Sequence, residues 1–523
     1  MATDVATDAA ENQKAGAVTD GSPLRPEDIT PETARAIYRQ GEEAVVQVLC
    51  ALAAAVMRLE QETVQLRRRI EELEGQLAKN SHNSHKPPGS DGPGEVRRTQ
   101  SERVRSGKKA GGQQGHGGTT LKLVANPDRI VRHGVTHCAT CRHSLEDVAP
   151  TAIERRQIIE LPPLNVEVTE HQGEIKTCPA CGKQSRASFP ENVGAVVAYG
   201  PRFQAVSVYL LHHHLLPYAR TAALMADLFA QPVSQGTLVG FQNRCSTRLA
   251  PVEAHIHAML RQAPVAHFDE TGVDCEKKLY WMHSISTPSL TAYAIDPKRG
   301  TEAMERIGIL PHFTGRAIHD SWAPYLAYTA CRHGLCNVHH LRELTFIAEQ
   351  EREPWAAPMK ECLMAIHRAV DCAKKQGRHH LTPQVKQRFY AVYQSIVNQG
   401  FRFHRRLDPL PSPSGPGKKK RGRKKQRPGK NLLDRLKLHQ SEILAFMDDF
   451  DVPFSNNLAE QDIRMTKVKQ KISGCFRSLN GAQSFCRIRS YLSTARKQGW
   501  HILSALEAAV QGFPLLPRPL LSG

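Results

Sequence analysis

The sequence predicts a multidomain α+β protein, and three observations carry that reading. A heptad of apolar residues opens at Val45, two Cys-x2-Cys pairs stand at Cys138/Cys141 and Cys178/Cys181, and short β-rich runs begin at Pro264 before giving way to helical segments. At 523 residues the chain exceeds what one hydrophobic core organises, and roughly 150 residues per domain suggests about three or four units. Lys and Arg number 70 against 51 Asp and Glu, a net charge of +19. That excess points to a polyanionic partner, nucleic acid first, rather than to an acidic small substrate. It is not one basic tail: Lys418 to Lys430 holds nine positive residues, and taking nine from +19 leaves +10. A second basic stretch with Arg97, Arg98, Arg103, Arg105, Lys108 and Lys109 lies far away, as a long DNA footprint requires.

The elements follow in order. Residues 1–44 form a tail and lead-in whose polar, residue-poor start predicts disorder up to about residue 30. That start, MATDVATDAAENQ, is acidic where a signal peptide would be basic and then apolar. From 45 to 79 a coiled coil is expected. Val45, Leu52, Leu59, Leu66 and Leu73 fill d, while Leu49, Val56, Thr63, Ile70 and Leu77 fill a. Glu62 at g faces Arg67 at e of the next heptad on a partner helix, and Arg69 faces Glu74, so a parallel pair attracts. Packing of the same helix within its own chain is the alternative. The longest apolar run, Ala44 to Met57, falls short of the ~20 residues that span a bilayer, so no membrane segment is expected. Residues 80–125, containing KNSHNSHKPPGSDG and GKKAGGQQGHGG, read as a flexible basic linker.

Residues 126–192 read as a zinc ribbon. Two Cys-x2-Cys turns can each aim two sulfurs at one tetrahedral Zn²⁺, with Cys138, Cys141, Cys178 and Cys181 as ligands and strand-like IIELPPLNVEVTEH between them. The 36 intervening residues exceed the usual spacing of about 15–20, and a redox pair is the rival reading. His133, His137 and His143 are read as bystanders. The thirteen cysteines otherwise lack framework spacing, which predicts a reducing, cytoplasmic compartment. Residues 193–258 read as a helical DNA-binding region, with a helix, a Pro-containing turn and a second helix capped by Ser234, the layout of a helix-turn-helix. His212, His213 and His214 are consecutive and so point apart on a helix, a mixed face rather than a metal site.

From 259 to 350 a sheet is laid down. PVAHFDE, KLYWMHSIST, LTAYAI and GRAIHD are strands, and LCNVHHLREL supplies a fifth strand and a helix. Asp269 closes the first run and Asp320 the fourth. This order is ribonuclease-H-like, in which the first and fourth strands are neighbours and set their aspartates side by side. Residues 351–450 then read as a helical insertion with the basic loop. In 451–512, SNNLAEQDIRMTKVKQK begins a helix capped at Ser455 or Asn456 and carrying Glu460, with Arg464 one turn later on the same face. Three carboxylates suit Mg²⁺, or Mn²⁺, as hard oxygen ligands. The bland alternative is that the aspartates cap strands and Glu460 pairs with Arg464. Glu270 follows Asp269 directly and should face the opposite side of the strand. His339 or His340 could contact a phosphate.

KNSHNSHKPPGSDG, GGQQGHGG, the paired Cys-x2-Cys motifs, HFDETG, HDSWAPY, LCNVHHLREL and SNNLAEQDIR occur in this order, and over residues of about 45 to 512 the chain resembles transposases of the insertion sequence 66 family. The resemblance implies a DDE triad at Asp269, Asp320 and Glu460 and a helical insertion between the second and third acids, here 140 residues apart; Arg464 is read separately as a supporting residue that approaches the scissile phosphate or orients Glu460. It also implies a bacterial, nucleoid-associated enzyme that acts on double-stranded DNA at element ends and target, works as a dimer or larger homo-oligomer, and has accessory proteins encoded by the same element. The KKKRGRKKQRPGK loop departs from the pattern. Two rivals remain at this stage, a metal-dependent nuclease without strand transfer and a DNA-binding regulator with an inactive catalytic domain.

Overall fold

The computed structural model describes residues 30–80, 83–84, 121–190, 193–407 and 426–518. The expected disordered start, most of the basic linker and the basic loop as far as residue 425 lie outside the described residues. The chain divides into two units, residues 1–98 with 349–352, and residues 99–348 with 353–523.

In the first unit, α1 (Pro31–Arg39) and α2 (Glu42–Leu77) are separated by Gly41, whose φ of 106° breaks the helix where a side chain would be strained. The lead-in is therefore not structureless. Thr30 accepts from the Thr33 backbone, and the Thr33 hydroxyl returns the bond to the Thr30 backbone, a capping box on a nine-residue helix. Along α2 most of the apolar heptad side chains stay in solvent, with Leu49 at 60%, Leu59 at 59% and Leu66 at 57% exposure, while Val45 and Leu52 are half-buried. No helix among the described residues is long and apolar enough to cross a membrane.

In the second unit, residues 121–190 are largely extended and carry one short hairpin, β1 (Ile175–Thr177) and β2 (Gln184–Arg186). The IIELPPLNVEVTEH segment forms no strand. Pro162 and Pro163 supply no N–H to a ladder, and Ile158, Leu161 and Val168 are 92%, 82% and 88% exposed, so nothing packs the segment into a sheet. Four helices follow: α3 (Pro201–His212), α4 (Tyr218–Phe229), α5 (Gln235–Arg248) and α6 (Ala250–Arg261). As expected, Ser234 caps α5 by accepting from the Thr237 N–H at 3.0 Å. The three histidines diverge: His212 is buried against Gln242, His213 is half-buried and His214 is exposed.

A five-stranded sheet comes next. It comprises β3 (Val265–Cys275), β4 (Lys278–Ser286), β5 (Thr291–Asp296), β6 (Arg316–His319) and β7 (Arg332–Leu335), with α7 (Thr301–Ile307) between β5 and β6. The spatial order is β5-β4-β3-β6-β7. β3, β4 and β5 form an antiparallel meander, whereas β6 and β7 run parallel to β3 on its other side. The first and fourth strands of the sheet are therefore neighbours, as the sequence predicts. Alternation sends Ala266, Phe268, Ile285, Ala292 and Ala317 into a core with α3, α5, α6, α15 (Leu479–Lys497) and α16 (Ile502–Gln511). Ile318 and Leu335 face the opposite core, made with the helices that follow. Gly315 immediately precedes β6, where a Cβ would stand 2.2 Å from the Ala263 carbonyl oxygen, so only glycine lets the strand begin so close to the end of α6.

After β7 the chain is helical: α8 (Asn337–Phe346) and then, among the described residues of the stretch read as an insertion, α9 (Ala356–Lys375), α10 (Pro383–Arg406), α11 (Pro428–Leu438), α12 (Gln440–Ile443) and α13 (Ala445–Asp448). Trp355, Tyr393, Leu433 and Phe446 fill the second core. The helix α14 (Asn457–Ser473) then packs on β3 and β4.

Candidate active site

The site grows out of strand register. β3 and β6 pair in parallel as Val265 with Arg316, Ala266 with Ala317 and His267 with Ile318. Two residues beyond the last pair stand Asp269 on one strand and Asp320 on the other. They share a level and, by the two-residue alternation, the face of His267 and Ile318. One expectation needs correction: Asp269 does not end its strand. β3 runs on to Cys275 because β4 continues to pair with it, Asp269 opposite Ser284 and Cys275 opposite Lys278. What ends at Asp269 is the parallel partner, so the carboxylate sits at the carboxyl edge of the parallel strands. There the order turns from the meander to β6 and β7, the switch point at which open sheets bind ligands.

Asn456, 1% exposed, joins the third acid to this edge. It occupies the N-cap position of α14, but its side chain does not cap the helix. Its amide donates to the Phe268 carbonyl at 2.8 Å and its oxygen accepts from His267 Nδ1 at 2.9 Å. Burial pushes His267 down to about 4, so the ring is neutral at pH 7. The backbone N–H of Asn456 meets Cys336 Sγ at 3.1 Å, and the Cys336 N–H donates to the His319 carbonyl at 2.9 Å. β3, β6, β7 and α14 are thus cross-tied within two residues of Asp269 and Asp320 and one helical turn of Glu460. Ser321, beside Asp320, bonds buried His340 at 3.1 Å.

Asp269 feels the other two acids. Burial raises the Asp269 carboxyl well above the usual carboxylate range, and the charges of Glu270, Glu460 and Asp320 add to the shift. Their oxygens do not close into one tight group. Among the described residues the set whose ligand atoms all lie within 4.8 Å of one another is Cys336, His339 and Glu460. His339 Nε2 is 3.7 Å from Glu460 Oε1, which is buried with no hydrogen-bond partner. Burial, helped by the Glu460 charge, pushes the Cys336 thiol up to about 12. Arg464 is exposed one turn along α14, and the side chain that faces Glu460 is His339 in its place. The bland pairing of Glu460 with Arg464 is therefore not the one formed.

Glu270 goes to the other side of the strand, as alternation predicts. It is 3% exposed and takes Arg299 Nε at 2.9 Å and Nη2 at 2.7 Å, together with the Tyr325 hydroxyl. Arg299 stacks between Trp281, 4.8 Å away, and Trp322, 4.0 Å away. Glu343, the other acid near the motif, is paired with Arg435. Sequence reasoning missed the Asn456 brace, the Arg299 clamp and the role of Cys336. Only the last left a signal, since Cys336-x2-His339 has metal-ligand spacing.

Each Cys-x2-Cys pair forms the same turn. Cys138 N–H donates to the His143 carbonyl at 2.9 Å and Arg142 N–H to Cys138 at 3.0 Å; Cys178 N–H donates to Lys183 at 2.9 Å and Gly182 N–H to Cys178 at 2.8 Å. Arg142 and Gly182, at matching positions, have φ of 63° and 69°, and His137–Ser144 and Thr177–Gln184 bridge at matching places. Backbone N–H groups of Cys141 and Thr140 hold the Cys138 thiol below its ordinary value, and those of Ala180 and Cys181 do so for Cys178. Among the described residues the four cysteines do not form a group within 4.8 Å.

A cleft of about 680 Å³ lies elsewhere, lined by Asn243, Ser246, Glu253, Asp296, Gln483 and Arg487 among others, and shares no residue with the carboxylate edge. A duplex needs an open edge rather than an enclosed volume, so size does not locate the chemistry.

Residues 29–122 match a family of unknown function, DUF6444. No curated protein matches the chain. Residues 197–484, which hold the sheet, all three acids and the Asn456 brace, match the Transposase IS66 family. With more than half of its length in that match, the chain belongs to the Transposase IS66 family.

Proposed function

We propose that the protein is a DDE-type DNA transposase with a ribonuclease-H-like core, in which Asp269, Asp320 and Glu460 form one divalent-metal centre for Mg²⁺ or Mn²⁺. The reading rests above all on the shared level of Asp269 and Asp320 on adjacent parallel strands, with Glu460 tethered to the same edge through Asn456. The donor set fits such ions, being hard carboxylate oxygens, of which one Glu460 oxygen is buried and receives no hydrogen bond. Bound divalent ions would activate the attacking oxygen and stabilise the leaving one. The chain's own residues do the positioning. Asp269 and Asp320 face the scissile phosphate from the sheet, Glu460 faces it from α14, and exposed Arg464 takes a phosphate oxygen. The product of hydrolysis is a free 3′-hydroxyl at the element end, which the same site directs against target DNA.

Other parts serve this reaction. Cys138, Cys141, Cys178 and Cys181 bind one structural Zn²⁺, and the matched turns with lowered thiols suit that role. Helices α4 and α5 contact double-stranded DNA, and the net charge of +19 supplies affinity. The exposed heptad face of α2 pairs with a second copy, so deleting residues 45–77 lowers the oligomeric state by light scattering; an unchanged mass contradicts this. The enzyme works in the bacterial cytoplasm on nucleoid DNA, alongside accessory proteins of the same element.

The test is to incubate purified protein with labelled element-end DNA and Mg²⁺. Nicked and joined products are expected. Nicking without joining would leave a nuclease, and binding without either would leave a DNA-binding regulator.

A further inference from the structure

The Cys336, His339 and Glu460 set differs in kind from the aspartate pair. It combines a thiol, an imidazole and a carboxylate, and its ligand atoms all lie within 4.8 Å of one another. Asp269 and Asp320 offer hard oxygen alone. Sulfur and nitrogen select Zn²⁺-like ions over Mg²⁺, whereas carboxylates without them favour Mg²⁺ or Mn²⁺. Tetrahedral coordination at Zn–N and Zn–O lengths of about 2.0–2.2 Å sets N and O roughly 3.4 Å apart, and His339 Nε2 and Glu460 Oε1 are 3.7 Å apart.

The frame that holds these ligands is rigid. Cys336 is the N-cap of α8 and His339 is its third residue, so both side chains leave one face of the first turn. Cys336 is 1% exposed, its N–H is bonded to His319 and its sulfur receives the Asn456 N–H at 3.1 Å, the kind of outer contact that orients a metal-bound thiolate. His339 and Glu460 keep 16% and 22% exposure, which leaves an open side for an ion and its water. Three protein ligands with one open position make an exchangeable site rather than a closed structural one.

We propose that Cys336, His339 and Glu460 bind a thiophilic divalent ion of the Zn²⁺ class, and that this ion competes with the Asp269–Asp320 pair for Glu460. The competition clause rests on the function proposed above; the binding clause does not. Binding replaces the thiol proton of Cys336 with the metal and releases that proton to solvent, with no change of oxidation state. Zinc is then an inhibitor of the magnesium-dependent reaction, acting by withdrawing the third acid.

Cobalt tests the binding clause directly, since Co²⁺ reports thiolate coordination by its absorption. The full-length chain, titrated with Co²⁺ alone and read by its thiolate-to-cobalt absorption, should show one equivalent more of thiolate-bound ion than Cys336→Ser and one more than His339→Gln, while Asp269→Asn should match the unmodified protein in that absorption. Circular dichroism checks folding, and His339→Gln carries the test if the buried Cys336→Ser does not fold. Equal uptake in the unmodified protein and His339→Gln overturns the site. In the nicking reaction, half-inhibition of His339→Gln should need at least about tenfold more Zn²⁺, measured against its own zinc-free rate. Equal zinc sensitivity overturns the competition. Failure of the unmodified protein to nick at all would refute the proposed function and leave the cobalt count standing as the judge of the site.

Discussion

The cysteine turns and the carboxylate edge are built on opposite principles. Each turn closes within eight residues, 137–144 and 177–184, by its own backbone bonds, in a segment whose apolar side chains are largely in solvent. The carboxylate edge depends on partners far apart in sequence: Asn456 reaches Phe268 across 188 positions, and Cys336 meets Asn456 across 120. A local turn can be damaged without harming the rest of the molecule. Loss of a long-range tie should be felt in both stability and chemistry.

The largest contrast concerns single acids. Asp320→Asn removes an anionic ligand at almost unchanged volume and should lower end nicking by at least roughly 10³-fold, leaving end-DNA affinity equal or slightly higher. Gel-shift and nicking assays on one preparation check this, and parallel loss of binding would indicate a folding defect.

Next in size is the brace. Asn456→Ala leaves the Phe268 carbonyl and His267 without their buried partner, a cost of about 1–3 kcal/mol, and lets α14 shift. Nicking should fall by roughly 10- to 100-fold, with a raised requirement for Mg²⁺. Denaturant melts and a Mg²⁺ titration separate the two effects. A variant that is less stable but keeps the normal Mg²⁺ requirement would reduce Asn456 to a structural role.

The cysteine turns should behave in the opposite way. Cys138→Ser is expected to release zinc, read by metal analysis, while the main thermal transition of the catalytic unit stays where it was. A large downward shift of that transition would mean that the turns are tied to the core after all.

The smallest effect is a pH dependence. The Asp269 carboxyl is raised well above its ordinary value of 3.8, chiefly by burial and then by the charges of Glu270 and Glu460. The unfolded chain ionises it more readily than the folded one. Its environment therefore costs no stability below pH 3.8 and increasingly destabilises the fold as pH rises above that value. In chelator at pH 7, Asp269→Asn should melt at a higher temperature than the unmodified protein, and the gap should close as pH falls toward 3.8. A gap of the same size at both pH values would locate its origin elsewhere.

The same contrast governs what could be read from sequence. Local signals were legible: the Cys-x2-Cys turns, the Ser234 cap, the alternation that separates Asp269 from Glu270, and the strand order. The capping box at Thr30 lies beside a polar stretch whose composition predicts disorder up to about residue 30, so the local signal is masked by its surroundings. The Pro162–Pro163 segment looked strand-like through its Ile and Val content, but those side chains meet nothing that would bury them. Asn456 looked like a helix cap, because Asn at that position ordinarily is one. Only folding brings the Phe268 carbonyl within 2.8 Å and redirects the side chain. The His339 partner of Glu460 and the Arg299 clamp on Glu270 are likewise products of topology, with no periodicity to announce them.

The central claim is that Asp269, Asp320 and Glu460 act as one unit. Nicking rates of Asp269→Asn, Glu460→Gln and the double variant test it most directly, with end-DNA binding measured alongside. Groups that share one centre lose activity non-additively, so each single change should cost about as much as both together while binding persists. A Glu460→Gln protein that nicks at the unmodified rate, or a double variant whose loss is the product of two modest ones, would contradict it.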